Sequence, residues 1–347
     1  MTISCRSVRR VVVTRSPKWT AALLAVAGCA TTGSVPTTRP PVTPSPSTSS
    51  TASPTSTGPH SRVALKATVG GSPCGVASTA GAIWVSDGPG ARLLRLDPAT
   101  GKVVSETKLD DAPCAITVAY GSLWVVTQSG VLDRVDPSTG RVSHVIEVGL
   151  SSYQAVATPG AIWVSNRDSG TLSRVDPRTN RVSETLRIPG IQPGGMAYAD
   201  GSLWVGDDTD SGRSVVRVNL RTHALTRFPA GQRPAYLAAA SGAVFVSDVG
   251  AGTVTKLDAR TGRAVKVIPA GTSPVNLAVR PGAVPEVWVP DDTGGKVIRI
   301  DARTGNVIEN IEVPGEGPAL LAAVDGDVWV TMFPVGEVWR FHPAARG

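Results

Sequence analysis

The sequence has no acidic residue near its N-terminus and no excess of basic charge elsewhere. The first 62 residues contain seven of the 34 Lys and Arg side chains and no Asp or Glu. The rest of the chain therefore holds 27 basic and 27 acidic side chains, so the formal net charge of +7 belongs to the N-terminal segment. Because nucleic-acid binding needs a net or clustered basic surface, this balance argues against a nucleic-acid partner.

Motifs for catalysis are also scarce. The sequence has only four histidines, His60, His144, His223 and His342, and no pair of them has metal-ligand spacing. It lacks both a Gly-x-Ser-x-Gly nucleophile motif and a phosphate-binding loop. The usual signatures of hydrolases and nucleotide-dependent enzymes are therefore missing.

The apolar run near the N-terminus is too short to cross a membrane as a helix. Residues 19–28 give about ten apolar positions, whereas a spanning helix needs about 20. Basic residues that end at Lys18 precede the run, and this order is typical of an export signal. The pair Arg9-Arg10 hints at twin-arginine export, so the route, Sec or twin-arginine, stays open.

The run closes on Val26-Ala27-Gly28-Cys29, which resembles the lipobox of bacterial lipoproteins. The resemblance implies that residues 1–28 are a signal peptide and that Cys29 is diacylated, which would hold the protein on the extracytoplasmic side of the cell membrane. The alternative is a secretory signal with an incidental cysteine. Residues 29–61 are rich in Ser, Thr and Pro, so they are predicted to form a flexible tether with no apolar face to bury.

A recurring phrase, an aromatic residue followed by Val and preceded closely by Gly or Pro, organises the rest of the chain. The aromatic positions are Trp84, Trp124, Trp163, Trp204, Phe245, Trp288 and Trp329, at intervals of 40, 39, 41, 41, 43 and 41 residues. Each unit has four short runs with strand character and no helical period. Short strands at a period near 40 are typical of a β-propeller or a solenoid.

A second signature marks a tight hairpin in each unit. It begins at Asp97, Asp136, Asp176, Asn219, Asp258 and Asp301, and its fifth position is Gly, Asn or His. Asp at the first position can bond the turn amides, and the fifth-position residues tolerate positive φ. These aspartates are therefore interpreted as structural.

The two ends of the repeat region complement each other. The last unit stops before its fourth strand, while residues 63–69 precede the first inner strand and resemble an orphan fourth strand. Joining them closes a ring without a long free edge, which a solenoid would not require. The predicted fold of residues 62–347 is therefore an all-β, seven-bladed propeller of four-stranded blades, with its last blade closed by the N-terminal strand.

These units resemble those of the YVTN/YncE-type and streptogramin-lyase-like seven-bladed propellers, which include enzymes, ligand binders and extracytoplasmic proteins. The lyase relatives use histidine and glutamate with magnesium at the propeller mouth, and none of the four histidines matches that position. Quinone-dependent propellers share the Asp-Ala-x-Thr-Gly turn seen at Asp258 and Asp301, but the Trp they need shortly afterwards is missing. No cofactor is therefore expected, although a divalent cation stays possible.

The recurring tryptophans allow two interpretations. They could form a ring that stacks a ligand, or they could fill the spaces between adjacent blades. One large aromatic at the same strand position in every unit is what packing between blades requires, so we interpret them as core.

Charged residues are expected to segregate between the two ends of the propeller. We call the end with the outer-to-inner-strand loops and second-to-third-strand turns the loop face, and the opposite end the hairpin face. The hairpin turns are basic, with Lys102, Arg141, Arg178, Arg181, Arg221, Arg260, Arg263 and Arg303. The loop face is acidic, and its candidate ligand or cation site comprises Asp87, Asp207, Asp248 and Asp291. The alternative is that these charged loop residues only keep the protein soluble.

The leading functional hypothesis is a lipid-anchored binding or scaffolding propeller, expected to be monomeric, that takes a protein or small-molecule partner at its acidic face. The alternative is a metal-assisted lyase or lactonase that uses Asp207, Asp248 and Asp291 around a divalent cation.

Two cysteines, Cys74 and Cys114, occupy matched contexts one repeat apart. That spacing places them at the same height on the inner strands of neighbouring blades. A disulfide and two buried free thiols both remain open, because the separation of inner strands lies near the limit for a bridge.

Overall fold

A computed structural model describes residues 60–79, 81–313, 315 and 317–345 of the chain. Within these residues the chain forms 28 strands in seven four-stranded antiparallel sheets and one short 3₁₀ helix, η1 (Phe333–Val335). The predicted all-β, seven-bladed propeller is confirmed. The predicted signal peptide and Cys29 lie outside the described residues, as does the tether up to residue 59.

The four strands of a blade follow one another from the channel outward. The inner strands are β2 (Pro73–Thr79), β6 (Pro113–Ala119), β10 (Ser152–Thr158), β14 (Pro193–Ala199), β18 (Pro234–Ala240), β22 (Ala278–Arg280) and β26 (Pro318–Val324). The second strands are β3 (Ala82–Asp87), β7 (Ser122–Thr127), β11 (Ala161–Asn166), β15 (Ser202–Asp207), β19 (Ala243–Asp248), β23 (Glu286–Asp291) and β27 (Asp327–Met332). The third strands are β4 (Arg92–Leu96), β8 (Val131–Val135), β12 (Thr171–Asp176), β16 (Ser214–Asn219), β20 (Thr253–Asp258), β24 (Lys296–Asp301) and β28 (Glu337–His342). The outer strands are β5 (Val103–Lys108), β9 (Val142–Glu147), β13 (Arg181–Arg187), β17 (Leu225–Pro229), β21 (Ala264–Pro269), β25 (Val307–Glu312) and, in blade 7, β1 (Arg62–Thr68).

Both ends of the described chain build blade 7. Its strand order is β1-β28-β27-β26, and β1 pairs antiparallel with β28, with Val63 opposite Phe341 and Lys66 opposite Trp339. This arrangement agrees with the predicted closure by the N-terminal strand. Since β28 runs from the loop face to the hairpin face, the chain enters the propeller at the hairpin face.

The repeated aromatic residues form the packing between blades. Their side chains are at most 2% exposed in all seven units, from Trp84 at 0% to Trp163 at 2%, so their interpretation as core is confirmed. The second strands that carry them are buried almost throughout, since each lies inside its own sheet and against the neighbouring blade.

A basic residue stands opposite the aromatic one in every blade. The cross-strand partners on the third strands are Arg95, Arg134, Arg174, Arg217, Lys256, Arg299 and Arg340. In six of the seven blades the positive group lies over the ring, for example Arg134 Cζ 5.0 Å from the centre of the Trp124 ring.

Several of these basic side chains also reach the next blade. Arg134 donates to Pro177 O at 2.7 Å, and Arg340 donates to Pro98 O at 2.9 Å, so each contacts the hairpin turn of its neighbour. The pair of aromatic and basic residues is therefore a repeated latch between blades on the hairpin face.

In blade 6 the basic residue at this position, Arg299, contacts residues near both ends of the described chain. Blade 7 has no hairpin turn, since its outer strand comes from the N-terminus, and Arg299 donates instead to Ser61 Oγ at 2.8 Å and Ala344 O at 3.2 Å. The Arg299 side chain also pairs with Glu286 at 2.9 Å and Glu309 at 2.7 Å. The ring is thus closed by a buried ion-pair network as well as by strand pairing.

The hairpin turns follow their predicted chemistry. Asp97 Oδ1 accepts hydrogen bonds from Ala99 N at 3.1 Å and from Thr100 N at 2.7 Å, and the bonds from Thr100 hold the pKa of this carboxyl below its ordinary value. The fifth residue has positive φ where it is not glycine, +58° at Asn180 and +57° at His223. The structural role of the turn aspartates is confirmed.

The described part of the chain contains no helix with the length and hydropathy of a membrane span.

Candidate functional site

The four aspartates predicted as a ligand or cation site end the second strands of blades 1, 4, 5 and 6. All are buried, with exposures of 1% for Asp87, 6% for Asp207 and 0% for Asp248 and Asp291. Their position on the loop face agrees with the sequence interpretation. Their burial differs from it, since they do not present free carboxylates to solvent.

Each of these carboxylates binds the loops of its own blade. Asp291 Oδ1 accepts from Ser273 N at 2.7 Å, in the loop before the inner strand, and from Gly294 N at 3.3 Å, in the turn after the second strand. A Cβ atom on Gly271, whose φ is +92°, would lie 1.7 Å from Asp291 Oδ2. The carboxylate and the glycine backbone therefore fit together as one closed clamp.

The other three aspartates make comparable clamps. Asp87 accepts from Ser72 N and Gly90 N and pairs with Arg92 Nε at 2.9 Å. Asp207 accepts from Gln192 N and from Thr209, and Asp248 accepts from Gly231 N at 2.8 Å and from the Thr253 and Thr255 hydroxyls. Burial raises the pKa of Asp248 above its ordinary value despite these bonds.

The clamps are not gathered into one site. In residues 60–345, apart from the few that the structure leaves undescribed, no group of three or more His, Cys, Asp or Glu side chains could hold a metal ion. Because each carboxylate is buried and already bonded within its own blade, these aspartates do not fit a shared magnesium or calcium ion. We therefore derive no chemical step through such an ion.

Blade 2 has a buried carboxylate on its third strand, and Thr127 occupies the second-strand position that holds the clamp aspartate in blades 1, 4, 5 and 6. Asp133, on the third strand, is 5% exposed and stands at the position of Thr255 in blade 5. Burial, together with the charges of Asp110 and Asp111, raises its pKa to about 6. In blade 5 the aspartate, Asp248, is on the second strand and Thr255 is on the third. In blade 2 the order is reversed, with Thr127 on the second strand and Asp133 on the third.

The two predicted bridge cysteines lie on neighbouring inner strands, β2 and β6. The structure joins Cys74 and Cys114 by a disulfide with their Cα atoms 5.1 Å apart, inside the usual range of about 4.4–6.8 Å. Formation of this bond in the purified protein stays a prediction that peptide mapping can test.

The residues that follow the second strands surround the channel mouth at one repeated position. In six blades their main-chain N–H donates to a carbonyl in the loop before the inner strand, as from Arg167 to Ser151 O at 3.0 Å and from Val249 to Arg233 O at 3.0 Å. Six residue types occupy this position in the seven blades, and Asp is the one that occurs twice: Gly88, Gln128, Arg167, Asp208, Val249, Asp292 and Phe333. We call this set the mouth ring; its backbone is regular and its chemistry is not.

A charged and aromatic cluster occupies one side of this ring. Asp208, 3% exposed, has Arg167 Nε 3.0 Å from Oδ2 and accepts from Arg233 Nε at 2.9 Å on Oδ1. The rings of Tyr153 and Tyr236, from the inner strands of blades 3 and 5, lie 5.6 Å apart. Burial, with the neighbouring Tyr236 and the Asp208 charge, holds the pKa of Tyr153 well above its ordinary value.

Sequence reasoning missed this arginine–tyrosine cluster, which comprises Tyr153, Arg167, Asp208, Arg233 and Tyr236. Its members come from three blades and share no motif, so no local pattern brings them together. A signal was present, because Arg167 and Asp208 occupy a repeat position that holds six residue types in seven blades.

Comparison of the fold finds propellers of known structure over most of the chain. Virginiamycin B lyase from Staphylococcus aureus, in its selenomethionine form, superposes with a TM-score of 0.70 at 13% identity, covering 80% of this chain and 98% of that one. A catalytically inactive variant of that lyase with quinupristin gives 0.67 at 15% identity, over 78% and 94% of the two chains. The computationally designed Ika8 protein gives 0.62 at 13% identity, over 80% and 98%. At these identities the likeness establishes the fold.

Sequence comparison gives a family. No curated protein matches the chain significantly. The model of the family described as outer membrane protein assembly factor BamB matches residues 50–199 and 165–330, which together span most of the chain. With its four-stranded repeats and closed ring, this chain belongs to the BamB-like family of β-propeller repeat proteins.

Proposed function

We propose that this protein is a lipid-anchored extracytoplasmic propeller that binds a ligand or protein partner at its loop face. The observation that carries the proposal is the mouth ring, in which six residue types are spread over seven blades on a backbone fixed by the same hydrogen bond in six of them. Binding sites are commonly built this way, with variable loop residues held by a rigid scaffold.

The clamps support this function by making the loops rigid. Buried carboxylates such as Asp248 and Asp291 fix the loops on both sides of the ring before any partner arrives. A preorganised surface loses less conformational entropy on binding. The loop face, which the sequence predicts to be acidic, is therefore proposed as the binding face. Its clamp aspartates fix the shape of that face, and other residues contact the partner.

Anchoring is proposed from the N-terminal sequence. The short apolar run ending at Cys29 resembles a lipoprotein signal, and residues 29–61 would serve as the tether. The chain enters the propeller at the hairpin face, the end opposite the proposed binding face. The family description, an outer membrane assembly factor, also favours a protein that works by contact at a membrane.

A metal-assisted lyase or lactonase related to streptogramin lyase is the second candidate. The fold likeness to virginiamycin B lyase favours it. The geometry of the described residues does not favour the lyase or lactonase, since Asp207, Asp248 and Asp291 belong to separate clamps.

Membrane fractionation tests the anchor. Cys29→Ser should move the protein from the membrane fraction to the soluble extracytoplasmic fraction while its circular dichroism spectrum stays that of a β-protein. A Cys5→Ser variant is the matched control and should stay in the membrane fraction. Retention of the Cys29→Ser protein at the membrane would contradict lipidation at this residue.

A further inference from the structure

The arginine–tyrosine cluster has an unequal charge balance. One buried carboxylate, Asp208, forms ion pairs with two guanidinium groups: Arg233 Nε donates to it at 2.9 Å, and Arg167 Nε lies 3.0 Å from it without donating a hydrogen bond. Another carboxylate, Asp210, lies 3.9 Å from Arg233 Nε, but its side chain is 96% exposed. Solvent screens such an exposed charge strongly, so Asp208, Arg167 and Arg233 together carry one positive charge in excess. The half-buried carboxylate of Asp292 lies on the Tyr236 side of the cluster, where, in addition to burial, its charge helps to raise the pKa of that phenol.

The guanidinium groups keep hydrogen-bond donors available. Arg167 uses one Nη group on the main-chain carbonyl of Asp208 at 3.2 Å. Within the described residues, the Nη groups of Arg233 donate to no acceptor. The side chains of Arg167 and Arg233 are 26% and 38% exposed, so solvent reaches both. Because Asp208 accepts from Arg233 Nε through its carboxylate and from an Arg167 Nη group through its main-chain carbonyl, both guanidinium groups are oriented in advance.

The two tyrosines add one neutral donor beside these charges, the Tyr236 hydroxyl, because the Tyr153 hydroxyl interacts with Tyr236. Tyr153 and Tyr236 are half-buried with their rings 5.6 Å apart. Burial raises the pKa of both phenols, so both keep their protons in neutral solution. A protonated phenol can donate a hydrogen bond to an anion, whereas a phenolate cannot.

We propose that the arginine–tyrosine cluster binds a small oxyanion, the carboxylate or phosphate group of a ligand, at the channel mouth. The inference rests on the proposed function, since it names the class of ligand that the loop face takes. Guanidinium groups match oxyanions in geometry and charge, and bonds between charged partners are about twice as strong as neutral ones.

The other arginine–aspartate pair of this face shows what a purely structural pair looks like. In blade 1, Arg92 Nε pairs with buried Asp87 at 2.9 Å, and Arg92 Nη1 pairs with Glu106 at 2.9 Å. One guanidinium there meets two carboxylates, whereas in the arginine–tyrosine cluster two guanidinium groups share one buried carboxylate. The excess of donors is what distinguishes the proposed site from an ordinary ion pair.

Titration calorimetry on the folded protein, with inorganic phosphate in one arm and succinate in the other, tests the proposal. We expect saturable binding of at least one probe below about 10 mM. Arg233→Gln should weaken it about tenfold or more, since it removes a charged donor. The matched control Arg92→Gln makes the same chemical change on the same face and should leave binding within about twofold of wild type. Asp210→Asn removes an exposed competing charge and should tighten binding a few-fold.

The outcomes separate the ligand class from the function. Binding of phosphate alone or succinate alone supports the site and identifies its oxyanion. Absence of saturable heat in both arms overturns the proposal, as does equal binding by wild type and Arg233→Gln. If Arg233→Gln does not fold, Tyr236→Phe keeps the ring and removes one donor, and unchanged binding by that variant also overturns the proposal. A partner that crosslinks to the loop face of a protein that binds neither anion would contradict the ligand class and leave the proposed function standing.

Discussion

The two faces of the propeller use the same kinds of residue in opposite ways. On the hairpin face, aspartates such as Asp97, Asp136 and Asp258 cap exposed turns, and bonds from the turn residues lower the pKa of each. On the loop face, Asp248 and Asp292 are buried or half-buried, and burial raises the pKa of both. Carboxylates thus stabilise the hairpin turns while ionised, whereas the loop face bears a desolvation cost to keep its loops fixed.

The two faces also differ in how closely the repeat is followed. Towards the hairpin face an aromatic residue and a basic residue are cross-strand partners in all seven blades. On the loop face the mouth ring has six residue types in seven blades. Positions that recur hold the scaffold together, and positions that vary on a fixed backbone are the ones available for recognition.

The largest expected effect comes from breaking the ring closure on the hairpin face. Arg299→Met removes a guanidinium that is 1% exposed and leaves Glu286, also 1% exposed, without its main counter-ion. Breaking a buried pair in this way costs about 3–5 kcal/mol of unfolding free energy. Denaturant unfolding followed by tryptophan fluorescence measures it.

The matched control is Arg174→Met, at the same cross-strand position in blade 3. Arg174 is half-buried and its side chain donates to Ser183 Oγ at 2.9 Å, so its loss should cost about 1 kcal/mol. Equal losses in the two variants would contradict a special role for the chain-end network.

The second effect concerns the bridge between blades 1 and 2. A disulfide between Cys74 and Cys114 closes a loop of 40 residues, and its removal by Cys74→Ser with Cys114→Ser should cost about 2–4 kcal/mol. Peptide mapping by mass spectrometry without reductant should find the two cysteines in one linked pair of peptides. Recovery of both as alkylated free thiols would contradict the bridge.

The third effect is the pH dependence of stability that a buried carboxyl, Asp133, imposes, in contrast to the exposed carboxyls of the hairpin turns. The folded pKa of Asp133, about 6, lies above the ordinary value of 3.8. Protonation is therefore favoured in the folded state, so this carboxyl supports stability below pH 4 and that support is lost as the pH rises through 6. Asp133→Asn should thus raise the unfolding free energy by about 2–3 kcal/mol at pH 7.5 and change it little at pH 4.

Asp97→Asn is the opposite case on the hairpin face. The pKa of Asp97 is lowered, so its ionised form supports stability above pH 4, and this support is lost as the pH falls through the folded pKa. The variant should be destabilised at pH 7.5 and equal to wild type at low pH. Denaturant unfolding at several pH values checks both variants, and the same pH trend in both would contradict the account.

The smallest expected effect is the heat of divalent-cation binding. Calorimetry with Mg²⁺ or Ca²⁺ should give no saturable signal, since each loop-face carboxylate is already bonded within its own blade. Tight binding that Asp248→Ala abolishes would contradict this expectation and favour the lyase or lactonase alternative.

The sequence was sufficient for the fold but only partly for the candidate site. One large aromatic per blade, from Trp84 to Trp329, predicts the number of blades because packing between blades needs one such residue at each contact. The closure by residues near Val63 followed from a missing strand at one end and an extra one at the other. Both are periodic or local features, which a sequence records directly.

The site depends on contacts that no period records. From the sequence alone Asp291 is expected to be a free carboxylate, whereas in the structure it accepts hydrogen bonds from the amides of Thr272 and Ser273. The Asp208 pair with Arg167 joins blades 3 and 4, and that with Arg233 joins blade 4 to the loop before blade 5. Such contacts follow from the curvature of the ring and cannot be deduced from residue types alone.

The most direct test of the contrast between faces compares two exposed positions of one blade. A photoreactive amino acid is placed at Gln128, in the mouth ring, or at Arg141, in the hairpin turn of the same blade, and cells are irradiated with the protein in its natural compartment. The account predicts a covalent adduct with a ligand or protein partner from position 128 and none from position 141. Adducts from position 141 alone, or equally from both, would contradict the assignment of recognition to the loop face.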